Sequence, residues 1–148
     1  MKKRIVFIVM SILFSASAFS ADKVISFSQL PQNAQEFTRK YFSAEDPMYK
    51  HAYVTYDAEF LDSSYIVVFT NGDGIEFNKE GEWKDFDCQY CVVPDEIVPD
   101  VIKTYLLTYA PDQKIKKIEK NRFDYEIKLS GGLELKFDLE GKLLEIDD

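Results

Sequence analysis

Two stretches of this chain lie on each other without a gap. Tyr65-Ile-Val-Val-Phe-Thr-Asn-Gly-Asp-Gly-Ile-Glu-Phe-Asn-Lys-Glu-Gly81 matches Tyr125-Glu-Ile-Lys-Leu-Ser-Gly-Gly-Leu-Glu-Leu-Lys-Phe-Asp-Leu-Glu-Gly141, sixty positions on. Tyr65/Tyr125, Val67/Ile127, Phe69/Leu129, Gly72/Gly132, Ile75/Leu135, Phe77/Phe137 and Gly81/Gly141 keep their character. Upstream, a second match offset by sixty-eight positions pairs Leu30-Pro31 with Val98-Pro99, Phe37 with Tyr105 and Tyr41 with Tyr109. A duplicated unit of this kind builds a wide sheet and suits a binding scaffold better than a catalytic pocket.

Leu30, Ala34, Phe37 and Tyr41 fall at i, i+4, i+7 and i+11, one face of an α-helix, and Val98, Ile102, Tyr105 and Tyr109 repeat the spacing. Each set begins beside a proline, which suits a first helical turn where no N–H is needed. Pro111 stops the second helix and Pro47 lies beyond the first, so helices of about twelve residues are expected. Period-two segments follow each helix. Tyr65, Val67 and Phe69 share one strand face, as do Tyr125, Ile127 and Leu129. On the other face Glu126, Lys128 and Ser130 are solvent residues, whereas Ile66 and Val68 form an apolar anomaly. Asn71-Gly-Asp-Gly74 and Gly131-Gly132 are hairpin turns, and Asn78–Gly81 and Asp138–Gly141 make the next ones. Earlier strands are expected over His51–Tyr56 and Lys114–Glu119.

The expected fold is therefore α+β: a tandem repeat of a helix plus a four-stranded antiparallel sheet, forming one extended sheet with the helices on one face. The boundaries are a leader at 1–18, a linker at 19–29, a first unit at 30–90 and a second at 91–148.

Lys2, Lys3 and Arg4 precede an apolar run from Ile5 to Phe14, and Ala16-Ser-Ala18 offers the small residues of a cleavage site. This is the pattern of a secretory signal peptide. About ten apolar residues at 1.5 Å each reach only half of a roughly 30 Å hydrocarbon core, which argues against a membrane span. The expected destination is the periplasm or the exterior, with no membrane insertion after cleavage. The leader holds three of the 18 Lys+Arg and none of the 26 Asp+Glu, so the remainder carries 15 bases against 26 acids, a net charge near −11. That surface repels phosphate backbones, so no nucleic-acid partner is expected.

Cys88-Gln-Tyr-Cys91 is the one motif with reactive chemistry. The spacing suits a local disulfide, two inert thiols, or a thiol oxidoreductase with a thiolate at a helix N-terminus. Val92-Val93-Pro94 follows Cys91 where such an enzyme would start its helix, and no tryptophan precedes Cys88. A zinc site would need two more ligands, and His51 is the sole histidine. His51 is expected to be an ordinary strand residue. Carboxylate pairs for glycoside hydrolysis could be drawn from many acids, and nothing selects one pair. Asn71-Gly-Asp-Gly74 lacks the alternating oxygens and closing glutamate of an EF-hand loop. No catalytic residue, metal ligand or cofactor is expected. Trp83, where Leu143 stands in the second stretch, is either a core aromatic or an anchor for a partner.

The order Leu-Pro, short aromatic helix, Tyr-x-Val-x-Phe-x-Asn-Gly, Ile-Glu-Phe-x-x-x-Gly-x-Trp83, Val-Pro, second helix and Tyr-x-Ile-x-Leu-x-x-Gly-Leu-Glu-Leu-x-Phe-Asp-x-x-Gly resembles the PepSY-like proteins exported by Bacteroidetes. It covers about Leu30 to Asp148. That family is similar in fold to the β-lactamase-inhibitor protein, and the resemblance implies a binding or inhibitory role toward an envelope enzyme such as a peptidase or lactamase. The inhibitor carries a disulfide in each repeat, whereas Cys88 and Cys91 are the only cysteines here. None of its target contacts is carried over.

The sequence is thus read as a non-enzymatic binding module for a protein partner, with Ile66, Val68, Trp83, Glu126, Lys128 and Lys136 as candidate contacts and Cys88 and Cys91 as a candidate disulfide. The alternatives are an envelope thiol oxidoreductase using Cys88/Cys91 and a structural protein that self-associates through strand edges.

Overall fold

A computed structural model of the chain describes residues 23–42, 51–57 and 63–148. The expected leader at 1–18 and Pro47 lie outside these residues. Among these described residues nine strands and two α-helices follow in the order β1 (Lys23–Ile25), α1 (Gln32–Tyr41), β2 (His51–Asp57), β3 (Ser64–Phe69), β4 (Gly74–Asn78), β5 (Trp83–Asp87), α2 (Asp100–Tyr109), β6 (Ile115–Lys120), β7 (Asp124–Leu129), β8 (Glu134–Asp138) and β9 (Leu143–Asp147). Single 3-10 turns at Phe27–Gln29 and Asp95–Ile97 lead into the helices.

Pro31 and Pro99 stand at the N-caps with extended backbone, and their carbonyls accept from Gln35 and Lys103 at 3.1 and 3.0 Å. A proline there loses nothing, because the first helical turn has no carbonyl to bond its nitrogen. Both helices run ten residues, too short to hold alone, so their order comes from the sheet beneath. Leu30, Ala34, Thr38, Val98, Ile102 and Leu106 are buried against it. Tyr109, expected on the inward face, is 71% exposed, and Leu106 holds that place.

All nine strands form one antiparallel sheet in strict chain order from β1 to β9. This corrects the expectation of a tandem helix-plus-four-strand repeat. The ladder does not stop between the halves: β5 pairs with β6 through Asp85↔Glu119, Phe86↔Ile118 and Asp87↔Lys117. A ninth strand, drawn from the expected linker, pairs Lys23, Val24 and Ile25 with Tyr56, Thr55 and Val54 before either helix begins. The physical reason is burial. Phe86 and Ile118 are wholly enclosed, and a single apolar cluster runs from Val54 through Phe86 to Phe137.

The aromatic side chains tie the first helix to this cluster. Phe37 lies 5.8 Å from both Phe77 and Phe86, and Phe42 lies 5.1 Å from Phe69 and 5.6 Å from Phe86. On the second helix Tyr105 meets Phe137 edge-on at 5.3 Å. Such offset and tilted pairs add to burial because the positive edge of one ring meets the negative face of the next.

Gly72, Gly81, Gly132 and Gly141 all take positive φ. They differ in surroundings. A Cβ on Gly132 would meet nothing within 4 Å, whereas one on Gly141 would sit 2.8 Å from Val101 Cβ on α2. Gly132→Ala should therefore lose only the backbone strain, about 1 kcal/mol, and Gly141→Ala should lose about 1–2 kcal/mol more by pushing α2 off the β8–β9 turn. Urea unfolding of the two variants measures the difference; equal losses would mean that α2 does not rest on Gly141.

Candidate binding face

Alternation fixes which residues share a face, and register fixes which become neighbours. Tyr65, Val67, Phe69, Ile75, Phe77, Phe86, Ile118, Ile127, Leu135 and Phe137 belong to the enclosed side that the helices cover. The intervening residues stand on the opposite face in two rows. One runs Thr55, Ile66, Glu76, Asp85, Glu119, Glu126, Lys136, Glu145 across β2 to β9. The other runs Val68, Gly74, Asp87, Lys117, Lys128, Glu134, Asp147 across β3 to β9.

The open face is thus apolar at Ile66 and Val68 and charged from β4 onward. Of the candidate contacts named from sequence, Ile66, Val68, Glu126, Lys128 and Lys136 share this face. Trp83 does not: it pairs with Phe77 and turns its ring edge-on to Phe86 at 6.1 Å. Ile66 and Glu126 stand four strands apart, about 19 Å at the ordinary strand spacing.

Glu76, Asp85, Glu119 and Glu126 put four carboxylates directly opposite one another on successive strands, an arrangement that costs stability. Neighbouring lysines offset part of that cost. Lys117 lies 3.0 Å from Asp85 and 3.6 Å from Glu119, Lys84 lies 3.4 Å from Glu76, and Lys136 lies 2.8 Å from Glu126 and 3.4 Å from Asp124. Lys128 pairs with Glu134 at 2.9 Å. Lys84 comes to this face because the β4–β5 register shifts there. A shallow groove of about 720 Å³ runs over these rows.

Asp85, on the central strand, is the most perturbed of these groups. Its Oδ1 is buried with no hydrogen-bond donor among the described residues. Burial pushes its carboxyl up to about 6; Lys117 opposes the rise, and Glu119 and Glu76 add to it. Burial likewise raises Asp87, against Lys117.

At the end of β5 the candidate disulfide is formed, and around it lies an acceptor that the sequence analysis did not single out, Asp73. Cys88 and Cys91 are joined by a disulfide, with Cα atoms 4.9 Å apart, and both are buried. The loop between them aims three backbone N–H groups at Asp73. Gln89 and Tyr90 donate to Asp73 Oδ1 at 2.8 and 3.2 Å, Cys91 donates to Oδ2 at 2.7 Å, and Asn71 Nδ2 donates to Oδ2 at 2.9 Å. The Cys88 N–H donates to the Lys116 carbonyl at 2.7 Å. Asp73 is fully buried, so this is a carboxylate solvated by peptide groups in place of water.

Asp73, Cys88 and Cys91 lie close enough to hold a metal ion, but their chemistry does not fit one. The sulfurs are bonded to each other, and the carboxylate oxygens face N–H donors. A signal for Asp73 does exist in the sequence: sixty residues on, its place is taken by Leu133, a partly buried apolar residue. The side chains of His51, Ala52, Tyr53 and Asp57 lie outside the described residues.

Comparison with known proteins follows the same lines. Residues 63–145 match the family model described as "Putative beta-lactamase-inhibitor-like, PepSY-like". A crystal structure of a Bacteroides vulgatus protein from the DUF2874 family, described as "a putative periplasmic protein", is 46% identical over 86% of this chain and 97% of its own, with a TM-score of 0.79. A Bacteroides thetaiotaomicron protein described as "a putative calcium-regulated periplasmic protein" is 45% identical over the same shares, with a TM-score of 0.80. Another Bacteroides vulgatus periplasmic protein, described as of unknown function, is 35% identical over 86% of this chain and all of its own, with a TM-score of 0.78. A search of curated proteins returns no significant match.

Two outcomes test this geometry. Asp73→Ala leaves buried N–H groups without an acceptor and should cost about 3 kcal/mol in urea unfolding, with Asp73→Asn recovering part of the loss. A loss below about 1 kcal/mol would mean that water reaches the loop. The raised Asp85 pKa means that the folded chain holds this proton more tightly than the unfolded chain does. The associated stability is therefore present below about pH 4 and is lost as pH rises toward 6. Between pH 4 and 7 the wild type should lose about 2 kcal/mol relative to Asp85→Asn. Parallel stability profiles of the two proteins would refute the assignment.

Proposed function

The chain belongs to the PepSY-like, β-lactamase-inhibitor-like family, and from that premise we propose that it is a non-enzymatic periplasmic binding module whose open sheet face receives a protein partner. The family description and the periplasmic neighbours support the class and the compartment. In this reading the leader at 1–18 exports the chain, and the partner is an envelope enzyme that the module restrains.

One observation carries the reading. The open face holds four carboxylates in direct opposition at the middle of a nine-stranded sheet, beside the apolar pair Ile66 and Val68. Stability alone would favour alternating charges there, and a partner supplying cations and an apolar surface would relieve both features. Complementary charge also steers the encounter. The open face therefore suits recognition, whereas the enclosed side suits stability.

The thiol oxidoreductase alternative has less support. Cys88 is 0% exposed and Cys91 7%, and the residue after Cys91 begins an irregular segment ahead of the Asp95–Ile97 turn. A reactive thiol needs exposure and a stabilised thiolate, and this pair is enclosed beside a carboxylate.

The calcium regulation in the description of the Bacteroides thetaiotaomicron neighbour favours a second variable on the same face. Glu76, Asp85, Glu119 and Glu126 are oxygen donors of the kind that calcium takes. In this second reading the cation tunes partner binding by neutralising the row.

The test is a photo-crosslinking amino acid placed at Ile66, Glu119 or Thr104 and irradiated in the bacterial envelope, with calcium or with chelator. Adducts to one protein species should form from Ile66 and Glu119 and not from Thr104 on α2. The adduct formed from Glu119 should be lost on adding Ile66→Asp/Val68→Asp. Adducts from Thr104 alone, or adducts indifferent to the double substitution, would reject the open face. Equal yields with calcium and chelator would reject the second reading.

A further inference from the structure

The two outer strands of the sheet are not alike. β1 is three residues long, and its register puts Lys23 on the enclosed side, beside Tyr56, and Val24 on the open face, beside Thr55. β9 is five residues long and, among the described residues, pairs with β8 alone. Its outward N–H and C=O groups are a template for a further strand. Edges of this kind are usually blunted by a lysine, a proline or a bulge that turns the strand away. Leu143-Leu-Glu-Ile-Asp147 contains neither lysine nor proline; a one-residue bulge at Leu144 interrupts its start, the ladder then runs unbroken from Glu145 to Asp147, and Leu144 and Ile146 are each 53% exposed.

The register gives each side of β9 its character. Leu143 lies beside Phe137 and Ile146 beside Leu135, both buried, so these two carry the apolar side outward past the last covered strand. Glu145 lies beside Lys136 and Asp147 beside Glu134 on the open face. Across the sheet the charges run Glu126, Lys136, Glu145 in one row and Lys128, Glu134, Asp147 in the other. Both rows end on a carboxylate.

We propose that β9 is a docking edge for an extended segment of another protein in which lysine or arginine alternates with an apolar residue. Such a strand completes the β9 hydrogen bonds, sets its cations beside Glu145 and Asp147, and lays its apolar side chains beside Leu143 and Ile146. The chain itself offers a poorer occupant. The β9 of a second copy would set Glu145 and Asp147 against carboxylates of the same kind. The β1 of a second copy would bring Val24 to the acidic side and Lys23 to the apolar side. Charge complementarity therefore selects a basic partner strand over self-association.

The experiment titrates the full chain, isotope-labelled for amide NMR, with the synthetic peptide Val-Lys-Val-Lys-Val-Lys-Val and with its glutamate counterpart. The lysine peptide should bind and slow amide exchange at Leu143–Asp147, and the glutamate peptide should not. Glu145→Lys/Asp147→Lys should weaken the lysine peptide about tenfold and confer binding of the glutamate peptide. That exchange of preference cannot arise from unfolding. Ile66→Asp/Val68→Asp should leave the titration unchanged, which separates this edge from the open face. Equal binding of both peptides, protection at Lys23–Ile25 instead, or concentration-dependent sedimentation abolished by the charge reversal would overturn the proposal.

Discussion

Phe86 and Ile118 face each other across β5 and β6, and neither exposes any surface. That contact joins the ground covered by α1, where Phe37 and Phe42 reach Phe86, to the ground covered by α2 around Phe137. Four strands and one ten-residue helix would leave much of their apolar face wet, because small units bury too little of the surface that their chains expose. Sharing one sheet gives each helix neighbours that the other half provides. The ladder through β5 and β6 is therefore a condition of stability for both ends of the molecule.

The helices cover one face; on the other, Thr55 and Ser64 are buried and the charged rows from β4 to β9 are more accessible. On β7 and β8 that face carries alternating charges with short ion pairs between directly opposed residues, as an exposed sheet should. On β4, β5 and β6 it does not: carboxylates stand opposite carboxylates, and Asp85 is half-buried among them with one oxygen that has no hydrogen-bond partner among the described residues. A sequence selected for stability alone would have broken this row with a lysine. The row stands where the strands are best supported by their neighbours, so the fold carries its cost there.

Much of this architecture was legible because it is local. Period-two alternation at Tyr65–Phe69 and Tyr125–Leu129, glycines at the hairpins, and Leu-Pro and Val-Pro ahead of the helices each depend on neighbours a few residues away. The strands expected over His51–Tyr56 and Lys114–Glu119 begin and end within a residue of their observed bounds. What failed depends on distance. The expected pair of helix-plus-four-strand units in one extended sheet lacked the strand that lies outside both of them. Lys23–Ile25 is too short to show a period, and only pairing with β2 makes it a strand. Asp73 looked like an ordinary turn residue because the N–H groups that it holds lie sixteen to eighteen positions downstream. Trp83 lost its place among the contact residues through a register shift at Phe77, which no single strand reveals.

Strict chain order in the sheet also has a kinetic meaning. Among the described residues, six of the eight strand pairs join consecutive strands with no α-helix between them, and the β1–β2 and β5–β6 pairs need only α1 and α2 to fold back. Contacts between near neighbours close small loops, and loop closure is the main entropic barrier to β-structure. Such a chain zips from turn to turn in either half before the halves meet, so its assembly should be quick for a protein so rich in strands, with little time for bare edges to find the wrong partner.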